Sequence, residues 1–405
     1  MTPIFKSSEF VPTVPDFVHI PFFLIKCLGV KLFKWTPDEP ITKLQITLLA
    51  LFTVFSIFNF TSMLLYVVYE DLETLLDITE FVLFWGFALN ALMKGISMVC
   101  FRREIESILK GLIAKHPKTA EERATYQLVP YFRTINISNK YLSIWHLSIT
   151  SIFVVHPLIA SIHGYVSRED KNKSFDFTLP FMMTYFYDIN QPLAYAVSYF
   201  LQCCGAFHVS LLFLSGDLLL ISMVQLVNMH FGYLIYKIES FQPTGTDADM
   251  KVLGPLMVYH NEMLNYAERI DNTFGLATLL NYVGSCLVLC LICLQIAMGS
   301  EAVIVIKFIG FLVSTIVQVF FVSYFGNNLK DLSTGISDAF YNHPWYDANY
   351  KYMRMLVLPI ARAQRYARLT AFKFFEISMD SFKSLCTTSY QFYTLLRTSI
   401  EEEDV

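Results

Sequence analysis

Residues 44–69 read "LQITLLALFTVFSIFNFTSMLLYVVY", with no charge anywhere, and residues 70–80 follow at once as "EDLETLLDITE", with five acids and no base. An α-helix rises 1.5 Å per residue, so about 20 apolar residues cross a hydrocarbon layer of about 30 Å. The first stretch is therefore a membrane span. The second sets its direction, because Lys and Arg are retained on the cytoplasmic side. Lys6, Lys26, Lys31, Lys34 and Lys43 precede the span and only acids follow it, so the N-terminus is expected in the cytoplasm.

Further apolar runs cover 78–101, 141–164, 192–230, 274–299, 302–325 and 374–398, which makes seven expected spans. The fourth exceeds what a bilayer needs and should continue as a helix through "VQLVNMHFGYLIYKIESF". Basic clusters after the second span (Arg102, Arg103, Lys110, Lys115) and after the sixth (Lys330, Lys351, Arg354) agree with the orientation, and put the closing "EEEDV" outside. The expected organisation is a cytoplasmic and interfacial segment 1–43, six spans in 44–325, a cytoplasmic segment 326–373, a last span 374–398 and an extracellular acidic tail 399–405. Pro21, Lys26 and Lys31 in "FVHIPFFLIKCLGVKLF", with Lys34 just after it, suit a stretch lying along the membrane surface. Asn172-Lys173-Ser174 is a glycosylation acceptor in an expected outer loop.

Composition excludes much else. At 55% hydrophobic and 16% charged, 405 residues with a formal net charge of -4 do not make a soluble domain, and no basic stripe suits nucleic acid. The eight cysteines lack metal-ligand spacing with His, and neither metal nor cofactor is expected. Nucleophile elbows, zinc-protease motifs and phosphate-cradling glycine loops are absent, so no enzyme is indicated. G-protein-coupled receptors also have seven helices, but their N-terminus faces out, and their Asp-Arg-Tyr and Asn-Pro-x-x-Tyr signals are missing here.

From the sixth span onward the residues become specific. "FGNNLKDLSTGISDAFYNHPWYD" at 325–347 and "ARAQRYARLTAFKFFEISMDSFKSLCTTSYQFYTLL" at 361–396 together resemble the C-terminal signature of insect odorant receptors. The length, with no long insertion between the fourth and fifth spans, resembles the odorant-tuning subunits more than the shared co-receptor. Phe372 departs from the pattern, standing where the family usually carries glycine. The resemblance implies an all-helical subunit of a heterotetrameric, odorant-gated, non-selective cation channel. Its implied partners are the co-receptor, membrane lipids, permeating cations and a small volatile apolar or aromatic odorant. Its implied location is the plasma membrane of the olfactory sensory neuron dendrite. A gustatory-type channel subunit is the nearest alternative, and a transporter a more distant one.

On a helical wheel Ser384, Thr387, Thr388, Gln391, Thr394, Leu395 and Thr398 share one side of the last span, while Phe382, Leu385, Cys386, Phe392, Tyr393 and Leu396 share the other. A polar stripe in hydrocarbon needs partners, either pore water or hydrogen bonds to protein, including the helix's own carbonyls. With the family resemblance, pore lining is the expectation. Leu395, the large apolar residue in the stripe, falls on a hydrophobic gate position of the co-receptor, where a ring of such residues stops ions by dewetting. Glu401, Glu402, Glu403 and Asp404 stand next to the outer mouth, either as a cation attractor or as a solvated tail.

The family fold puts the odorant site in the outer halves of the second to fourth spans. Candidates there are Phe81, Phe84 and Trp85; Ile152, Val155, His156 and Ile159; and Tyr195, Tyr199 and Gln202, each weighed against plain helix packing. Intramembrane charges need a reason. Glu80 and Lys94 are read as snorkelling to the boundary, Asp217 as facing a cytosolic vestibule, and Lys307 as either snorkelling or capping the odorant site. Trp345 and Tyr346, with Arg362, Arg365 and Arg368 at i+3 spacing on one helical side, are expected to make subunit-anchor or lipid-headgroup contacts.

Overall fold

The computed structural model describes residues 11–29, 42–69, 75–167, 177–298 and 302–403. The elements run α1 Val14–Phe17, α2 His19–Cys27, α3 Lys43–Tyr69, α4 Leu75–Cys100, α5 Arg102–Ala114, α6 Ala120–Thr125, α7 Leu128–Val166, α8 Pro192–Glu239, α9 Ala248–Met298 and α10 Ala302–Asn342. A 3-10 turn at Trp345–Asp347, α11 Tyr350–Met355, α12 Val357–Ala363, a hairpin of β1 Thr370–Ala371 with β2 Phe375–Glu376, and α13 Met379–Glu403 complete the described chain. Asn172, Asp404 and the side chains of Glu401, Glu402 and Glu403 lie outside the described residues.

Among the described residues six helices, α3, α4, α7, α8, α9 and α10, are long and apolar enough to cross a membrane. Each contains one of the first six expected spans, but four of them run far past a bilayer's thickness. α7 begins 13 residues before the run at 141 and α9 begins 26 before the run at 274, while α8 ends at Glu239 and α10 at Asn342. Those extensions are helical because their apolar faces pack on one another, as Phe231, Phe340 and Tyr352 do in one large buried cluster. The last expected span differs more. Residues 374–378 are not helical, and α13, at 25 residues long enough, is too polar to count as a span by composition.

α8 is the axis of the fold. It packs against α2, α3, α4, α7, α9 and α10, and its residues from Phe213 to Phe231 are buried on every side. A helix that is apolar all round belongs in such a position. The amino-terminal stretch docks on the same axis: α2 packs on α8, and Phe17 of α1 meets Phe132 of α7 edge to face at 5.4 Å. α3 has the opposite character. It leans mainly on α8 and turns Val54, Ile57 and Val68 outward, the surface of a lipid-facing helix.

α13 packs on α9 and α10 after the β1–β2 hairpin. That hairpin turns through Phe372 and Lys373 at φ +48° and +65°, the left-handed region that side chains disfavour. It is held from below by Asp271 of α9, whose carboxylate accepts from the Thr370 backbone N–H and hydroxyl and pairs with Lys373. Gly326 of α10 lets the chain pass closely, since a Cβ there would lie 2.9 Å from the Ile377 carbonyl oxygen.

Candidate functional site

Between α3, α4, α7 and α8 lies a cavity of about 270 Å³, roofed by the extended segment 177–191 and reaching Phe311 of α10. Its walls are aromatic. Phe84 stands edge to face with Phe153 at 5.6 Å and with Phe181 of the roof at 5.1 Å, and Phe87 with Phe311 at 5.8 Å. Phe84 and Phe87 reach the same wall because i and i+3 share a helical face. Gln202, fully buried on α8, fastens the roof: its Oε1 accepts from the Phe181 N–H at 2.9 Å and its Nε2 donates to the Phe181 carbonyl at 3.1 Å. Both ends of that amide are thereby occupied, which makes Gln202 a brace more than a ligand contact.

Among the described residues no charged side chain lines this cavity, but several polar ones do. Thr150 and Ser210 bond each other at 2.8 Å. Asn59 on α3 donates its amide N–H to the Phe55 carbonyl at 2.8 Å and the Leu201 carbonyl at 3.4 Å, leaving Oδ1 buried with no partner. Ser56 Oγ, His208 Nδ1 and His146 Nε2 are in the same condition. Asn59 comes this close to α8 because Gly205 has no side chain; a Cβ there would lie 2.6 Å from Asn59 Nδ2.

Beside the cavity the bundle holds a buried ion pair. Lys94 Nζ donates to Asp217 Oδ2 at 2.7 Å and to Asn281 Oδ1 at 2.8 Å. Gln318 Nε2 donates to the same two oxygens at 2.7 and 3.3 Å, and Asn90 Nδ2 to Asn281 at 3.2 Å. Lys94 and Asp217 are only 3% and 7% exposed, so Lys94 does not snorkel and Asp217 does not face a vestibule. The reason is mutual: each supplies what makes the other tolerable in an apolar interior, and Gly216 gives the lysine stem room against α8. The Lys94 ammonium also sits 3.4 Å from the centre of the Phe213 ring, which packs at 4.6 Å on Phe87 of the cavity wall. Lys307 lies over the Phe153 ring at 5.4 Å.

α13 buries Leu385 and Ser389 against the bundle, the Ser389 hydroxyl donating to the Leu385 carbonyl at 2.8 Å. Ser384, Thr387, Gln391, Leu395 and Thr398 are exposed along the opposite side, and Thr388 and Thr394 are half-buried. The hydroxyls of Thr387, Thr394 and Thr398 donate to carbonyls one turn back on their own helix, at 3.0, 2.8 and 3.0 Å. Leu395, 63% exposed, is a large apolar side chain among them.

A family model described as 7tm odorant receptor matches residues 74–390. The chain belongs to the 7tm odorant receptor family. It is 28% identical to odorant receptor 67c of Drosophila melanogaster over 398 residues, 96% of either chain. It is also 28% identical to odorant receptor 85c of the same fly over 82% of this chain and 85% of that one. Its fold is similar to the olfactory receptor OR5 of Machilis hrabei solved in complex with eugenol, with a TM-score of 0.79, 11% identity, and 95% and 97% of the two chains covered. A second structure of that receptor gives a TM-score of 0.80 at 13% identity, covering 94% of this chain and 99% of that one. Members of this family are receptors of the membrane, not enzymes.

Of the residues that the odorant receptor sequence nominated for ligand contact, Phe84 and Gln202 line the cavity. The others stand elsewhere. Ile152, Val155 and Ile159 are exposed on the outer face of α7, because Phe153 and Val154 take its inner face; His156 is half-buried beside them. Phe81 is buried, and Trp85 stacks behind the wall on Phe60 at 5.7 Å. The Tyr195 hydroxyl donates to the Thr178 carbonyl at 2.9 Å and the Tyr199 hydroxyl to that of Val154, so both tie chain segments together. Ser56, Asn59, His208 and Phe181 escaped notice. Asn59 carried a readable signal, a lone amide in an apolar span, and Gly205 another, one turn beyond Gln202; the roof carried none, having no helical period.

The anchor candidates also separate. Trp345 is half-buried and donates its indole N–H to the Tyr341 carbonyl at 3.1 Å, while Tyr346 is exposed. Arg362, Arg365 and Arg368 are all exposed, but α12 ends at Ala363, so they do not form one helical face. The last two lie on the connection leading into the hairpin, where no helical period applies.

Proposed function

We propose that this receptor chain is the odorant-binding subunit of a ligand-gated, non-selective cation channel, with a volatile ligand in the aromatic cavity and α13 lining the pore. α13 would be a seventh span, with the N-terminus cytoplasmic, the C-terminus extracellular and the co-receptor as partner in a heterotetramer. The setting is the plasma membrane of the olfactory sensory neuron dendrite. The observation that carries this reading is the two-faced character of α13: Leu385 and Ser389 are buried on α9 and α10, while Ser384, Thr387, Gln391, Leu395 and Thr398 are exposed, although Phe392 and Leu396, expected to pack the helix, are exposed with them. Hydroxyls that donate backward to their own helix present oxygen lone pairs outward, which suits passing cations. In a closed channel, Leu395 from each such subunit narrows that path with an apolar ring.

The cavity supports the sensing half of the proposal. It is partly open, aromatic and at the lower end of ligand-site volumes, which fits a molecule of odorant size. The related Machilis receptor was solved with eugenol, a volatile aromatic. Voltage-clamp recording of the chain expressed with and without a co-receptor, against a panel of volatiles, tests the whole assignment. Odorant-evoked cation current that requires both chains is expected; a saturable flux from this chain alone overturns it in favour of a carrier.

A further inference from the structure

The cavity wall is not equally covered all round. Of the described residues that line it, those on α7, α8, α10 and the roof are buried or half-buried, and three are exposed: Ile57, at 63%, and Thr61 on α3, and Leu92, at 40%, on α4. Ile57 and Thr61 are one turn apart and share a helical face, as do Leu92 and the lining residue Ala88. A side chain that meets the cavity on one side and the surroundings on the other marks a mouth, and all three stand where α3 faces α4. That seam is thin because α3 leans mainly on α8. Phe60 stacked on Trp85 bridges it on the roof side; Ile57 lies one turn and Leu92 two turns further from the roof.

Among the described residues the roof offers no comparable opening. Besides the two bonds between Gln202 and Phe181, Gln202 Nε2 donates to the Tyr185 hydroxyl at 3.0 Å, the Thr184 N–H donates to the Ser62 carbonyl of α3 at 3.2 Å, and the hydroxyls of Tyr187 and Ser198 bond each other at 2.8 Å. Entry from that side breaks several such bonds, whereas entry at the seam asks only that aliphatic side chains change rotamer. The mouth also opens at a suitable depth. Ile57 is 14 residues from Lys43 and 12 from Tyr69, roughly 20 Å from either end of α3, so it faces hydrocarbon and not water when that helix spans a bilayer. A neutral solute gains about 0.8 kcal/mol per methylene on leaving water, so the bilayer presents it to the seam already concentrated.

We infer that the cavity is filled sideways from the bilayer, through a mouth between Ile57, Thr61 and Leu92, by neutral solutes dissolved in hydrocarbon. The membrane is then the first selector: charged or heavily hydroxylated molecules of the same shape are refused before they meet the aromatic walls. The inference rests on the cavity being the ligand site, and a test that reads entry without current separates the two. The full-length chain in lipid nanodiscs is mixed with phenyl(trifluoromethyl)diazirine, a small neutral aromatic that dissolves in hydrocarbon, and flashed at increasing delays. Peptide mass spectrometry reads carbene insertion at Phe153 and Met63, buried residues that line the cavity, against Val54 on the outward face of α3. Val54 should be labelled at once in every protein. Leu92→Trp and Ile57→Trp should delay labelling of the cavity residues by roughly tenfold, about 1.4 kcal/mol on the entry barrier, and Leu92→Ala should hasten it. Tyr187→Phe, which loosens the roof, should leave the delay unchanged. Cavity labelling that neither tryptophan slows, that quickens with Tyr187→Phe, or that never appears overturns the lateral mouth. The expected pattern in a chain that gives no odorant-evoked current keeps the mouth and removes the ligand site instead.

Discussion

Replacing Lys94 by Met tests how the interior tolerates charge. The substitution keeps the length of the stem and its packing against Gly216, but leaves the Asp217 carboxylate, 7% exposed, without its cation. Removing one member of a buried pair costs about 3–5 kcal/mol, because the remaining charge stays desolvated. Unfolding entropy of about 2.1 cal/mol/K per residue, over 405 residues, is roughly 0.85 kcal/mol per degree. Lys94→Met should therefore lower the melting temperature of the detergent-purified receptor by roughly 4–6 °C, and Asp217→Leu by a similar amount. The double variant leaves Gln318, Asn281 and Asn90 to bond one another and should recover at least half the loss, since an apolar pair replaces an ionic one at little net cost. Thermal unfolding followed by size-exclusion fluorescence measures all three. Losses that simply add in the double variant would refute the reasoning, for they would mean that the two side chains act separately despite their 2.7 Å contact.

Three further outcomes are expected. Leu395→Ser should leave channels that conduct without odorant, with a baseline current several-fold above wild type; a quiet baseline in a properly delivered protein counts against the gate. Phe372→Gly should stabilise by about 1 kcal/mol, or roughly 1 °C, by relieving a left-handed backbone at +48°, whereas Phe372→Val should destabilise; equal melting temperatures for all three proteins would exclude strain in the hairpin. Burial pushes the His116 imidazole below its ordinary 6.5, so the protein binds fewer protons with His116 in place than released. Stability at that site is then full above about pH 6.5 and declines as pH falls below it. Because His116 Nε2 donates to the Pro12 carbonyl at 3.0 Å, limited proteolysis near α1 should speed up between pH 7.5 and 5.5, and His116→Asn should remove the difference.

The long apolar runs made the six helices legible, because burial in lipid and burial in protein ask for the same residues. Their extensions were not: the part of α9 before residue 274 alternates charge with apolar residues, and its helical face is recognisable only once Glu262 and Arg269 are seen paired to Lys115 and Glu104. Lys94 and Asp217 were misread for a related reason. Each was judged by its depth in its own span, whereas its environment is set by a residue more than 120 positions away. Phe372 was noticed as a departure from the family pattern, and the left-handed turn supplies the physical ground for glycine there. The aromatic cavity was half visible: Phe84 and Gln202 were named, but the α3 wall was not, since a span that leans outward looks like lipid-facing packing throughout.

The polarity of α13 has a consequence for how such a chain is made. A helix with so many hydroxyls and amides does not partition into a bilayer by its own hydrophobicity, and each group left in hydrocarbon is costly. As the seventh span of the proposed channel, it would draw for stable insertion on the surfaces of α9 and α10 that receive Leu385 and Ser389, and on neighbouring subunits for the side that those helices leave open. Biogenesis and assembly then become one event. In the channel proposed above, an orphan subunit would carry an exposed polar helix in the membrane of its synthesis, and export to the cell surface would report that the complex has closed.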